Sequence, residues 1–374
     1  MPATFLDKLD ATGPKKLLAI DGGGIRGLIA IEYLARIEAL LRERSGRSDL
    51  VLGDYFDYVA GTSTGGILAT LVALGMPVDR MREFYVGKAR EMFAPATFLK
   101  RFQNRYVAAR LAATIRDVLG DMTLGSEDLR TLLLLVMRNA TTDSPWPVSN
   151  NPRAMYNDRS LANCNLQVPL WQLVRASTAA PVYFPPEEID FGDERFLFVD
   201  GAVTMYNNPS FLLFCMATLE PYRLQWPVGE DRLLLVSVGT GLSRKSDANL
   251  KATQMNLIYN AARIPSALIY SALVEQDRLC RIFGRMRAGG PPTIDSEIGA
   301  LAAATGGLVS PKLFTYMRYN LLLSSAELAS LGLAEIAESE VQPLDRVDKL
   351  DELRRVGAAS AARLVAAEHF EGFV

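Results

Sequence analysis

YVAGTSTGGILATLVALG, Tyr58–Gly75, is the stretch that decides the fold. An apolar run ends at Gly61, Ser63 follows between two threonines, and a helical pattern begins at once. Gly61-Thr62-Ser63-Thr64-Gly65 matches G-x-S-x-G. The mechanics behind that pattern are specific. A strand turns sharply into a helix, the serine takes the strained corner, and glycines two residues either side let the backbones pass without Cβ clashes. Ser63 would then stand at a helix N-terminus, with the Thr64 amide and the positive end of the helix facing a developing oxyanion. The plain alternative is a Gly-Ser turn that caps a helix.

Outward from that corner the pattern alternates. LLAID (Leu17–Asp21) reads as a buried strand, GGGIRG as a turn, and Leu28, Leu34, Ile37 and Leu41 as a helix stripe. TLLLLVMRNA, RFLFVDGA (Arg195–Ala202) and RLLLVSVGTG (Arg232–Gly241) read as further strands. Residues 79–120, VPLWQLVRAST and FLLFCMATL read as helices, and TTDSPWPVSNNPR reads as a loop. Strands that are continuous apolar runs, alternating with helices, predict an α/β fold with a largely parallel central sheet covered on both faces. One domain, 1–374, is expected: residues 15–245 carry the motifs and 246–374 read as mainly helical.

Composition narrows the function. Forty basic residues against 42 acidic ones give a net charge of −2, without the basic footprint of a nucleic-acid binder. The cysteines, Cys164, Cys215 and Cys280, are too scattered for a disulfide framework, which fits a reducing cytoplasm. MPATFLDKLDATGPKK lacks the apolar core of a signal peptide, and no run of about 18 apolar residues is present.

Gly22-Gly23-Gly24-Ile25-Arg26-Gly27 also fits the dinucleotide fingerprint G-x-G-x-x-G. That motif wants an acidic residue at the end of a second strand about 20 positions on, where this chain has EALLRERSGRSD, a helical and charged stretch. A second reading is an oxyanion hole, because consecutive glycines bring backbone N–H groups close to a ligand. Arg26 would either attract an anionic head group or satisfy a nearby carboxylate. A serine nucleophile needs a base. His369, the one histidine, sits five residues from the C-terminus and reads as a surface residue. Asp200 ends the strand FLFVD before Gly201, at the kind of strand end where α/β active sites form. It would accept the serine proton directly, its basicity raised by burial; otherwise it is a turn aspartate bonding its own backbone. No spacing points to a metal site.

DGGGIRG at 21–27, GTSTG at 61–65 and DGA at 200–202, in that order, resemble the patatin-like phospholipases, with RASTAAPVYFPP ahead of the aspartate strand. The resemblance covers residues 15–245. It implies a three-layer α/β/α fold and a Ser–Asp dyad needing no histidine. Ser63 is then the nucleophile, Asp200 its base, and Gly22, Gly23, Gly24 and the Thr64 amide the oxyanion hole, with Gly27, Gly61, Gly65 and Gly201 as motif glycines. No cofactor is implied. The expected substrates are phospholipids or related lipid esters, met at a peripheral membrane surface. Phe84, Phe93, Phe98 and Phe102 would line such a surface or pack in the core. Some bacterial members resemble effectors switched on by cyclic nucleotides. QDRLCRIFGR and KLFTYMRYN carry the Arg and aromatic residues suited to such an activator, and they suit a helical core equally well. Two other functions stay open on the sequence: a lipid or nucleotide sensor that keeps the fold without turnover, and a nucleotide-dependent oxidoreductase.

Overall fold

In the computed structural model, residues 4–93, 103–181, 183–243, 251–290, 293–295, 299–300 and 309–374 are described. Phe98 and Phe102 lie outside them. A short helix α1 (Phe5–Leu9) leads into β1 (Lys15–Ile20), a strand of KKLLAI with no polar residue beyond its first two. Helix α2 (Gly27–Ser45) returns the chain, ending on Gly46 in the left-handed conformation, φ 65°. A one-turn helix α3 (Leu52–Tyr55) precedes β2 (Tyr58–Thr62), which runs straight into α4 (Thr64–Ala73). Helices α5 (Val78–Phe93) and α6 (Gln103–Leu119) follow, then β3 (Leu132–Asn139) and β4 (Ser144–Ser149). Helix α7 (Leu170–Ser177) leads to the hairpin β5 (Glu187–Phe191) and β6 (Glu194–Asp200). Helix α8 (Ser210–Thr218), β7 (Leu233–Val238) and the long α9 (Leu257–Phe283) come next. β8 (Gly284–Ala288), a small ribbon of β9 (Thr293–Asp295) and β10 (Gly299–Ala300), and β11 (Phe314–Tyr319) complete the strands.

The main sheet runs β5-β6-β3-β2-β1-β7-β11-β8, with β4 paired to β3. β3, β2, β1, β7, β11 and β8 are mutually parallel, while β4, β5 and β6 join antiparallel. This is the expected α/β architecture. Helix α2 packs against α4, α5 and the helix Leu350–Leu364; α8 and α9 pack on each other against β7 and β11. The central strands are buried throughout. Phe84 and Phe93 are partly buried against this core.

Three readings need correction. TTDSPWPVSNNPR is not all loop: its middle is β4. Pro145 and Pro147 are two residues apart, so both ring nitrogens face one edge, and β4 pairs only with β3. Prolines are tolerated on such an edge strand. EEIDF forms β5, a strand that the sequence does not announce because it is short and three of its five residues are charged. The segment beyond 246 is not merely helical, for it supplies β8 and β11, the latter set between β7 and β8.

Candidate active site

β2 ends at Thr62 and α4 begins at Thr64, so Ser63 alone makes the corner. Its backbone holds φ 55° and ψ −125°. An L-residue there stores on the order of 1–3 kcal/mol of strain, tolerated only when the surroundings enforce it. The surroundings are tight. A Cβ on Gly61 would lie 2.0 Å from the Gly65 carbonyl oxygen, and one on Gly65 2.2 Å from the Ile20 carbonyl oxygen. The Ser63 N–H donates to Ser177 Oγ at 3.0 Å, and Ser177 Oγ donates to the Val136 carbonyl at 2.6 Å.

Strand register brings the aspartate to the serine. On β3, Thr62 stands opposite Val136 and Asp200 stands opposite Met137, the next residue along. β2 stops pairing where β6 starts. Ser63 Oγ donates to Asp200 Oδ2 at 2.6 Å, and the Ala202 N–H donates to Oδ1 at 2.7 Å. Asp200 therefore makes the turn contact with its own backbone and also receives the serine. Gly201 permits the approach, since a Cβ there would lie 2.3 Å from the Val136 carbonyl oxygen. Asp200 is buried, 2% exposed. Burial pushes its carboxyl up to about 6, against the opposing effects of the Ser63 and Ala202 hydrogen bonds and the nearby Arg175 charge.

The glycine loop lies beside this pair: a Cβ on Gly22 would come 3.3 Å from Ser63 Cβ. Gly22 needs a correction as an oxyanion donor, because its N–H already donates to the Asn207 carbonyl at 3.0 Å. Among the described residues, the N–H groups of Gly23, Gly24 and Thr64 have no protein acceptor. Gly24 holds φ 55°, and Tyr85 Oη donates to its carbonyl at 2.6 Å while lying 2.8 Å from Thr64 Oγ1. Tyr85 thus ties the loop to the serine helix. A Cβ on Gly27 would strike that same hydroxyl at 2.4 Å.

Distant segments hold the loop. Thr240 Oγ1 donates to the Gly22 carbonyl at 2.9 Å, and the Ile25 N–H donates to the Leu344 carbonyl at 2.9 Å. Asp21 is fully buried and takes a fork of two bonds from Arg318 on β11, 2.9 and 2.5 Å, while Arg318 also donates to Ser237 Oγ at 2.7 Å. Nothing local in the sequence announced Tyr85, Asn207, Thr240, Arg318 or Leu344. Ser177 lay inside RASTAAPVYFPP without a role assigned to it.

Arg26 donates to the Gln342 carbonyl at 3.3 Å, and the carboxylate that acts on it, Asp21, is already paired with Arg318. His369 is remote from the pair. Its Nδ1 lies 3.0 Å from Tyr319 Oη and its ring stacks on Tyr319. QDRLCRIFGR and KLFTYMRYN turn out to be the end of α9 and β11. Arg281 is engaged by Asp277 and the Gly289 and Gly290 carbonyls, and Phe314, Tyr316 and Tyr319 are buried. These residues serve the core and are not presented to a ligand. The dinucleotide reading also loses its support, because the window that should end a strand lies in α2 and the turn after it. Among the described residues, no cluster of His, Cys, Asp or Glu is placed to hold a metal, and no helix is long and apolar enough to cross a membrane.

Comparison with known proteins finds relatives of one kind. Patatin-17 of Solanum cardiophyllum is 29% identical over 64% of this chain and 63% of its own length. Two bacterial proteins named cGAMP-activated phospholipase are similar as well. The one from Vibrio cholerae is 32% identical over 53% of this chain and 56% of its own, and the one from Escherichia coli 30% identical over 60% and 62%. The chain thus spans about three fifths of the length of these relatives. The family model for patatin-like phospholipases matches residues 18–213, a span that holds the glycine loop, the serine corner and the aspartate. That span is just over half of the 374 residues, and the chain belongs to the patatin-like phospholipase family.

Proposed function

We propose that this protein is a lipid acyl hydrolase that cleaves carboxylic esters of phospholipids or related lipids through Ser63 and Asp200. The observation that carries the reading is the 2.6 Å hydrogen bond from Ser63 Oγ to a buried Asp200, made at a strained strand-to-helix corner. Asp200 takes the proton of Ser63 as Oγ attacks the ester carbonyl. A carboxylate raised to about 6 is a far better base than an ordinary aspartate, and it is still ionised at neutral pH. The oxyanion forms against the N–H groups of Gly23, Gly24 and Thr64, aided by the N-terminal end of α4. Collapse of the tetrahedral species returns the proton to the leaving alcohol and leaves an acyl-Ser63. Water, deprotonated by Asp200, then releases the fatty acid. No group beyond the chain's own residues is needed for these steps.

Peripheral contact with a membrane and activation by a cyclic nucleotide belong to the same reading, the second supported by the names of the two bacterial relatives. The deciding experiment is labelling with a fluorophosphonate ester, followed by peptide mass spectrometry. The adduct should sit on Ser63 and survive His369→Ala. Labelling that vanishes in Ser63→Ala but persists without turnover on any lipid, with or without a cyclic dinucleotide, would favour a sensor that kept the fold.

A further inference from the structure

Helix α9 has 27 residues, about 40 Å at the usual rise, and only its later part is packed as a helix of a folded domain should be. Tyr316 Oη bonds Asp277 at 2.8 Å, Cys280 Sγ lies 3.3 Å from Ser210 Oγ, and Phe283 stacks on Phe211. Leu273 and Gln276 are still buried. Phe283 passes straight into the start of β8, so α9 runs antiparallel to the parallel strands. Its N-terminal turns, on the far side of the internal Pro265, are the part left outside this packing. The helix also approaches the turn Gly201–Val203 directly after Asp200.

The outer face of the helix's N-terminal half is apolar. Leu257, Ala261, Ile264 and Leu268 follow one another at helical spacing, and all four are exposed. Leu257 is 84% exposed, Ile264 51% and Leu268 64%. A helix at a soluble surface normally turns charged residues outward. Here the segment from Lys251 to Val274 contains no acidic residue, only Lys251 and Arg263, in a chain whose overall charge is −2. Val203 and Met205, just beyond Asp200, are exposed as well, at 41% and 49%.

We infer that the N-terminal half of α9 is the docking surface by which this protein seats on an anionic phospholipid bilayer, with Val203 and Met205 continuing the apolar face toward the serine. An apolar face flanked by basic and no acidic residues is the composition that lies in a lipid interface and is drawn to negative head groups. The inference rests on the lipid hydrolase reading for its purpose, and it is measured separately from that activity.

The test is flotation of the full chain with vesicles of phosphatidylcholine alone or with 30% phosphatidylglycerol, together with turnover of a soluble short-chain ester. Wild type should float with the anionic vesicles. Leu257→Glu with Leu268→Glu should lower that bound fraction about tenfold, and Leu257→Ser with Leu268→Ser should lower it less. Both variants should keep soluble-ester turnover within twofold of wild type, which shows that they are folded. A wild type that floats with neither vesicle overturns the inference, as does a double glutamate variant that floats like wild type. Loss of a dimer in the variant, without vesicle binding by wild type, would assign the face to a second copy. Flotation as expected with no ester turnover in wild type, with or without a cyclic dinucleotide, would sink the hydrolase and leave the docking surface standing.

Discussion

The serine corner and the glycine loop lie side by side and are built in opposite ways. The corner is largely local: Gly61, Ser63 and Gly65 lie within five residues and Gly61 meets the Gly65 carbonyl, while from elsewhere the Ile20 carbonyl crowds Gly65 and Ser177 takes the Ser63 N–H. The loop from Asp21 to Gly27 is held from outside, by Asn207, Thr240, Arg318 and Leu344. A nucleophile needs one exact position, which a short turn can supply. An oxyanion hole needs free N–H groups, so its loop cannot use those amides to hold itself and leans on other elements. The C-terminal residues of the chain are thereby part of the site, although they carry no motif.

The sharpest challenge is to the corner. Ser63→Ala and Asp200→Ala should each lower kcat/KM on a soluble ester by at least about 10³-fold, with melting temperatures showing both proteins folded. Full turnover in a folded Asp200→Ala protein would break the dyad. On the loop, Gly24→Ala places a Cβ 2.4 Å from the Leu344 carbonyl oxygen at a positive φ of 55°. Turnover should fall about 10²-fold, the scale of a displaced oxyanion donor, in a chain that circular dichroism shows to be folded.

Arg318→Met separates local from distant support. It strands the buried Asp21 carboxylate, and urea unfolding should show a loss of about 3–5 kcal/mol. Adding Asp21→Asn should restore part of it; no loss in the single variant would mean that β11 does not hold the loop.

The dyad also predicts two opposite responses to pH. Activity requires charged Asp200, so kcat/KM should fall about tenfold per unit as pH drops below about 6. Stability runs the other way. The folded carboxyl titrates near 6, above an unfolded value of about 3.9, so its protonated form favours the fold. That contribution is complete below the unfolded value and is lost as pH rises through 6, for a total of about 3 kcal/mol. Asp200→Asn should therefore raise the melting temperature at pH 8 and leave it nearly unchanged at pH 4. An equal gain at both would mean that the carboxylate is not strained by burial. The smallest effect belongs to His369→Ala, which should leave turnover within twofold, because the ring contacts Tyr319 and the C-terminal turn.

Much of this was legible in the residues. LLAID, TLLLLVMRNA and RLLLVSVGTG are unbroken apolar runs, and such runs become the inner strands of a sheet covered on both sides. GTSTG carries its own geometry, so the strand, corner and helix could be read together. β4 was hidden because its prolines look like loop, and only the empty outer edge makes them harmless. β11 was hidden because KLFTYMRYN mixes charge with aromatics, and Arg318 is buried there only because Asp21 awaits it. Gly22 joins the oxyanion hole only through the family resemblance, and the Asn207 carbonyl that takes its N–H sets it apart from Gly23 and Gly24.

Sequence alone determined the α/β class, the serine corner and the aspartate at a strand end, because each depends on residue type and near-neighbour spacing. Tertiary structure decided the rest. Which glycine amides stay free, how high the Asp200 carboxyl titrates, what clamps the loop and which face of α9 is left bare all depend on groups brought together across the sheet. A hydrogen-bond partner or a burial cost is set by what lies within a few ångströms, and sequence distance carries no record of that.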